Sequence, residues 1–350
     1  MNATAQDISL LDGLYSGRKA FFGDLHNHSA STERSDGKRP MSHWKGALEA
    51  LEMDFAALLD HGQAEHMYLP DWEDGIFLGG TEPGTGITDS KAANPGMHYN
   101  MIFENAQPLE QLLAHFPEYE FTGGLHGRFI YPSFTTARFN ELIDFIKAHN
   151  GFFVHPHPKQ LMASDDPLDY WFQDETGLEV FYGDMRNEAT ANNYKLWTDL
   201  LALGKRVWAT GGNDNHACAK DTALTCIYAA ERKNASYLSH LRCGDFVCGS
   251  VGIRMCVGST TMGGQCSFKG SRLVLSTGDF HKSVRNPEHT YCVELLDDSG
   301  VVFRQEISCT ETTYLAFNTQ PCIFYRAEVI DATQNLRIAL GNPIWNLEIR

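Results

Sequence analysis

Six short apolar segments recur along the chain, and each runs into a polar tip: KAFFGDLHNH, MDFAALLDHG, MHYNMIFEN, GFFVHPHP, GLEVFYGD and KRVWATGGNDNH. Read as buried strands, they carry their chemistry at their C-terminal ends. Helix candidates lie between several of them. HWKGALEALEM has apolar residues at helical spacing, FTTARFNELIDFIKAHNG ends in the capping pair Asn150-Gly151, and NNYKLWTDLLALGK is closed by Gly204. This alternation predicts βα units and a parallel sheet or barrel, with the loops after the strands forming the active face.

Beyond about residue 245 the texture changes. RLVLSTGDF, TYCVELLDDSG, VVFRQEIS, CIFYRAEVI and LRIALG are rich in β-branched and aromatic residues, and turn formers such as Asp298-Ser299-Gly300 separate them. The expected organisation is an α/β unit of barrel type over 1–245 and a smaller antiparallel β unit over 246–350, with a soft boundary at LSHLRCGDFVCGS. Hydrophobic residues make up 43% and charged residues 21%, as in an ordinary globular chain. No apolar run approaches the roughly 18 residues of a membrane span, and MNATAQDISLLDG lacks the pattern of a signal peptide, so a cytoplasmic protein without a membrane partner is expected. All nine cysteines fall between Cys218 and Cys322 without a C-x-x-C, which reads as buried thiols. The formal charge of -16 opposes tight binding to a long nucleic-acid duplex, and none is expected as a partner. A small phosphorylated substrate is compatible with that charge, because bound cations offset it locally.

The strand tips together offer His26, His28, Asp36, Asp60, His61, Glu82, His98, His155, His157, Asp214 and His216. Imidazole and carboxylate suit zinc, manganese and iron, and this set exceeds the needs of one ion. A structural zinc usually takes thiolate as well, yet no cysteine precedes Asp214. A multinuclear catalytic centre follows. Residues two apart on a strand share a face, so His26 and His28 can enter one cavity, as can Asp214 and His216, with Asp24 behind them. Glu82, among the glycines of LGGTEPGTG, is the candidate bridging carboxylate. One member of the His155-Pro-His157 pair is expected to be a bystander. Isolated histidines such as His43, His66, His115, His126, His149 and His240 read as surface or satisfied core residues.

Taken in order, His26-Asn-His28, Asp36, Asp60-His61, Glu82, His98, His155-Pro156 and Asp214-Asn-His216 resemble the motif series of the PHP (polymerase and histidinol phosphatase) superfamily, over residues 20 to 218. The resemblance implies a distorted (β/α)7 barrel with two or three divalent metal ions. It further implies that His26, His28, Glu82 and Asp214 hold one ion, that Glu82 bridges to a second held by His98 and His155, and that Asp36, His61 and His216 take a third. The C-terminal stretches LRCGDFVCG, FYRAEVID and ALGNPIWN are similar to one branch of it, the carbaryl-hydrolase-like metallohydrolases. A β appendage of this kind is most simply a packing or oligomerisation unit, so a homo-oligomer is a further expectation.

Adjacent cations can bring the pKa of water towards neutrality and clamp a phosphoryl group, which implies phosphoester hydrolysis without a side-chain nucleophile, in keeping with the absence of a G-x-S-x-G elbow. Glu82, Asp214 and His216 are the expected catalytic residues; His157 or Asp60 are alternative acids, although Asp60 fits better as a residue that orients a ligand. Arg186, Arg34, Lys38, Arg128 and Lys159 are the candidate substrate-binding cations, with Arg186 in VFYGDMRN first. The rival readings are hydrolysis of a carboxyl ester, carbamate or amide at the same centre, and a PHP module that binds without catalysis.

Overall fold

The computed structural model describes residues 2–31, 35–89, 96–117 and 133–349. Seven of its strands belong to the segments with polar tips or lie between them: β1 (Lys19–Asn27), β2 (Phe55–Leu58), β3 (Phe77–Thr81), β4 (Asn100–Phe103), β5 (Phe152–His155), β6 (Thr176–Tyr182) and β7 (Val207–Gly212). They hydrogen-bond in the order β7-β6-β5-β4-β3-β2-β1. β1, β2 and β3 pair in parallel, as do β5, β6 and β7, whereas β4 runs antiparallel to both its neighbours. Helices α1 (Ala5–Leu14), α2 (Met41–Leu51), α3 (Gln107–His115), α4 (Thr136–Ala148), α5 (Glu188–Ala202) and α6 (Asn234–Cys243) accompany them. The capping pattern is as the sequence suggests: Asn150 takes φ 58° after α4, and Gly204 takes φ 73° after α5.

Of the expected distorted (β/α)7 barrel, the described residues show a mixed α/β fold with a large sheet, and no ladder closes that sheet on itself. The far edge of β1 is taken by the antiparallel strand β8 (Thr225–Ala229), from Lys19↔Ala229 to Gly23↔Thr225. β7 therefore returns to β1 through a single bridge, Asn27↔Asn215, where the Asn215 amide donates to the His26 carbonyl (3.2 Å) and the His28 amide to the Asn215 carbonyl (2.9 Å). The result is a mixed α/β fold with a curled sheet that meets at a seam without a ladder.

Past residue 245 the chain is antiparallel β structure. β9 (Phe246–Gly249), β10 (Val251–Val257), β11 (Arg272–Phe280), β12 (Tyr291–Asp297), β13 (Gly300–Ile307), β14 (Thr313–Asn318), β15 (Phe324–Asp331) and β16 (Leu336–Gly341) follow one another. The curled sheet continues through β1-β8-β9-β16-β15-β12-β13, so hydrogen bonding does not break at residue 245, and β10, β11 and β14 make a second sheet. The nine cysteines are free thiols, most of them buried. Among the described residues no helix is long and apolar enough to cross a membrane.

A buried ion cluster ties the late strands to α5. Glu328, fully buried, accepts from Tyr194 (2.7 Å) and Arg337 (2.9 Å) and pairs with the buried Arg326, whose guanidinium lies 4.8 Å from the centre of the Trp197 ring. Removing one partner of such a pair strands a charge in low dielectric. Glu328→Ala is therefore expected to lower the unfolding free energy by about 3–5 kcal/mol, read from urea unfolding at unchanged m-value. A loss below about 1 kcal/mol, the range of an exposed pair, would show that the cluster is not a structural tie.

Candidate metal centre

Glu82 follows β3 directly, its amide donating to the Leu59 carbonyl (3.2 Å), and its side chain is 1% exposed. Five imidazoles surround it. Its Oε2 lies 3.1 Å from His26 Nε2, 3.0 Å from His28 Nε2 and 3.5 Å from His61 Nδ1, while Oε1 lies 3.0 Å from His98 Nδ1 and 3.1 Å from His157 Nε2. Burial alone would raise the carboxyl pKa, but His26, His98 and His157 hold it well below the usual range.

Each ligand candidate arrives by a local device. His26 and His28 share one face of the end of β1, and Asp60, at the tip after β2, accepts from the Ser29 amide (2.6 Å) and hydroxyl (2.9 Å), which fixes the chain just past His28. Asp36 comes back over the site because Gly37 packs against the Ser29 backbone; a Cβ there would sit 2.3 Å from the Ser29 carbonyl carbon. His98 is delivered by an antiparallel pairing of Met97–His98 with Gly84–Ile87, in which Gly84 lies opposite His98. Asp214 takes φ 47° and His157 φ 28°, left-handed backbone that a residue with a side chain adopts at a cost of about 1–3 kcal/mol. Both strained residues point functional groups at the same cluster.

Donor atoms converge in three overlapping groups, each within 4.8 Å: His26, His28, Glu82 and Asp214; His28, Asp36 and His61; His61, Glu82 and His98. His216 joins the second through Nε2, 3.0 Å from Asp36 Oδ2, with its Nδ1 donating to the Asp214 carbonyl (2.9 Å). Asp214 Oδ1 lies 3.2 Å from His28 Nε2 and 3.6 Å from His26 Nε2. The two Nε2 atoms are 3.3 Å apart. Because His26 Nδ1 faces Glu179 Oε1 at 3.0 Å, the proton of a neutral His26 sits on Nδ1 and its Nε2 lone pair points into the cluster. Lone pairs and carboxylate oxygens crowding one point fit a divalent cation at that point.

The charges agree with this fit. Burial pushes the His26 imidazole down, yet Glu82, Glu179 and Asp214 outweigh it and raise its pKa well above the ordinary value. His28 is raised to about 9 in the same way, by Asp214 and Glu82 against burial. Asp36, opposed by partial burial, is held down to about 2 by His216, His28 and His61.

One expected ligand sits elsewhere. His155 ends β5 on the face of Phe153, which packs on Phe139 of α4, and its ring lies against Tyr170 (6.2 Å) and Phe172 (5.9 Å). Strand alternation turns it out of the mouth. Burial and the neighbouring His157 depress its pKa to about 3. His157, turned back by its left-handed backbone, takes the place beside Glu82 that the sequence assigned to His155.

Of the expected substrate cations, Arg34 and Arg128 lie outside the described residues. Lys38 is exposed on the rim, where its amide donates to the His216 carbonyl (2.6 Å). Lys159 turns to the Ser164 carbonyl and the Tyr170 ring. Arg186 reaches Gln334 (2.5 Å) of the C-terminal segment and lies 3.8 Å from Asp184.

Two contributors escaped the sequence reading. Glu179, 1% exposed, orients His26 through one oxygen and accepts the His157 amide through the other (2.8 Å); its signal was a lone carboxylate inside the apolar strand GLEVFY. Tyr182 donates to Asp214 Oδ2 (2.9 Å), leaving Oδ1 to the histidines. Asp24, expected behind the ligands, accepts from the amides of His26 (2.9 Å) and Asn213 (3.1 Å), and burial raises its pKa to about 7.

No family model matches the sequence, and no curated protein does. Solved structures similar to it include a two-domain protein from Bacteroides vulgatus containing a predicted PHP-like metal-dependent phosphoesterase, 12% identical, covering 94% of this chain and 96% of that one at a TM-score of 0.42. An amidohydrolase from Chromobacterium violaceum with bound sulfate is 17% identical and covers 57% of this chain and 89% of that one, at a TM-score of 0.38. Endonuclease Q in complex with a 27-mer duplex substrate is 10% identical and covers 64% of this chain and 57% of that one, at a TM-score of 0.43. That last complex overturns the exclusion of duplex nucleic acid drawn from the net charge. A formal charge is a sum over the whole chain and does not describe the surface around one site.

Three outcomes test the centre. Glu179→Ala is expected to weaken binding of a divalent cation about 10- to 100-fold with the fold retained, and His157→Ala to weaken it where His155→Gln does not, as measured by competition with a chromogenic chelator. Affinity is also expected to rise with pH up to about 9, because His28 must lose a proton to become a ligand while Asp36 and Glu82 are ionised throughout that range. An affinity independent of pH in that window would contradict this assignment.

Proposed function

We propose that this chain is a metal-dependent hydrolase of the PHP superfamily and cleaves phosphoesters of a small substrate. The observation that carries the proposal is the convergence of His26, His28, Glu82 and Asp214 on one point, with two further donor groups sharing His28, His61 and Glu82. Two or three divalent cations, manganese, zinc or iron, suit this donor set. His26, His28, Glu82 and Asp214 would hold the first; Glu82 and His98, with His157 in place of His155, the second; Asp36, His61 and His216 the third.

Cations bound there supply Lewis-acid polarisation of a phosphoryl oxygen and a nucleophile from water near neutral pH. The chain's own residues set the conditions for that chemistry. Glu179 fixes the His26 tautomer, Asp24 pins the backbone of His26 and Asn213, and Tyr182 occupies the outer oxygen of Asp214. His216 keeps its Nδ1 proton on the Asp214 carbonyl, which would leave its Nε2 lone pair, beside Asp36, for the third cation. Lys38 and Arg186, on the rim, are our candidates for holding the substrate. We take 1–245 as the unit carrying the metal ligands and 246–350 as the β-rich unit that borders its mouth.

The test is elemental analysis followed by assay of the manganese- or zinc-loaded protein. Two or three equivalents of metal and turnover of phosphomonoesters or phosphodiesters are expected. Glu82→Ala should lower kcat/KM by roughly a thousandfold or more, on the scale of removing a group that stabilises developing charge, while thermal unfolding of the variant stays cooperative. A single ion or none in active protein, or turnover of carboxyl esters alone, would overturn the reading.

A further inference from the structure

At the mouth end of the sheet, the loop after β6 and two loops of the C-terminal unit enclose a cavity of about 170 Å³. Arg186 and Thr222 line it from one side, and Arg285, His289, Asp331 and Gln334 from the other. We propose that this cavity is a binding site for a compact oxyanion, a phosphate or carboxylate group, built jointly by the two units.

The polar groups are arranged for that ligand. Asp331, 3% exposed, accepts from His289 Nδ1 at 2.7 Å with one oxygen and from the Gln334 amide at 3.1 Å with the other. The imidazole is thereby held in one orientation, and its doubly protonated form, paired with Asp331, would offer Nε2–H to an anionic ligand. Arg285 is exposed, and its guanidinium makes no ion pair among the described residues. Arg186 is already drawn towards the cavity by Gln334, at 2.5 Å. Two planar guanidinium forks and an oriented imidazole match the several acceptor oxygens of a phosphate or carboxylate, whereas a neutral or cationic group would leave Arg285 unmatched.

Position gives the site a role. Thr222 bonds to both the Gly183 carbonyl and the Asn213 side chain (2.9 Å), and Asn213 immediately precedes Asp214. The loop bearing Arg186 leaves Tyr182, which donates to Asp214. The cavity therefore shares its wall with the backbone that places a proposed metal ligand, and an anion seated there would anchor the acidic end of a substrate whose other end meets the metal centre. This anchoring role rests on the proposed hydrolase reading; the binding of an oxyanion does not.

The experiment is an NMR titration of the zinc-loaded full-length chain, following the His289 ring resonances, assigned by their disappearance in His289→Gln. Inorganic phosphate, and in a parallel arm acetate, are added at fixed pH and ionic strength. A saturable shift of the His289 signals is expected with at least one of them, and the stronger of the two identifies the oxyanion. Arg285→Ala should raise the half-saturating concentration about tenfold, the scale of a lost charge-assisted hydrogen bond, and Arg285→Lys should recover part of it. His289 signals unmoved by either anion, or moved equally in Arg285→Ala, would overturn the proposal. Because the readout sits on His289, binding of phosphate at the metals does not mimic it, and failure of the protein to hydrolyse any ester leaves the result intact.

Discussion

A buried carboxylate ringed by imidazoles is the constraint around which the mouth of this fold is organised. Glu82 is out of contact with water, and an isolated carboxylate in such a place would be strongly disfavoured as an anion. His26, His28, His61, His98 and His157 resolve that conflict, and each comes from a different piece of chain or turn of backbone. The devices around the ring serve the same end: Glu179 behind His26, Asp60 under Ser29, Gly37 beneath Asp36, and left-handed backbone at His157 and Asp214. Strain is tolerated there because the surrounding hydrogen bonds over-determine the geometry.

Much of this was legible in the residues. Alternation along a strand is enough to place His26 and His28 together, and glycines around Glu82 announce a carboxylate near backbone. What escaped depends on pairings that spacing does not encode. His155 and His157 look equivalent until the strand ends and the chain turns with φ 28°, which sends one into the mouth and leaves the other among aromatic rings. Glu179 stands out as a charge in an apolar strand, but its partner is 153 positions away. Arg186 follows the tip of β6, while its partner Gln334, 148 positions on, lies between β15 and β16. The pairing at the edge of β1 escaped for a similar reason: nothing local says that β8 will occupy it.

The C-terminal strands are more than a separate appendage. They extend the curled sheet from β9 through β16 and β15, and the buried Glu328 cluster fastens them to α5. Since α5 follows the β6 loop, this places the loops of the β unit beside the mouth, where His289, Asp331 and Arg285 meet Arg186 and Thr222.

The open seam between β7 and β1 has a kinetic consequence. Its single Asn27–Asn215 bridge lies between His26 and His28 on one lip and Asp214 and His216 on the other. An ion held from both lips, as proposed above, would act as a clasp across a joint that the backbone leaves unlaced. Exchange of that ion with solution would then follow the rate at which the seam breathes, more than the strength of any one bond to it. Loading and stripping would be slow, cooperative with local opening, and faster in any variant that loosens the asparagine bridge.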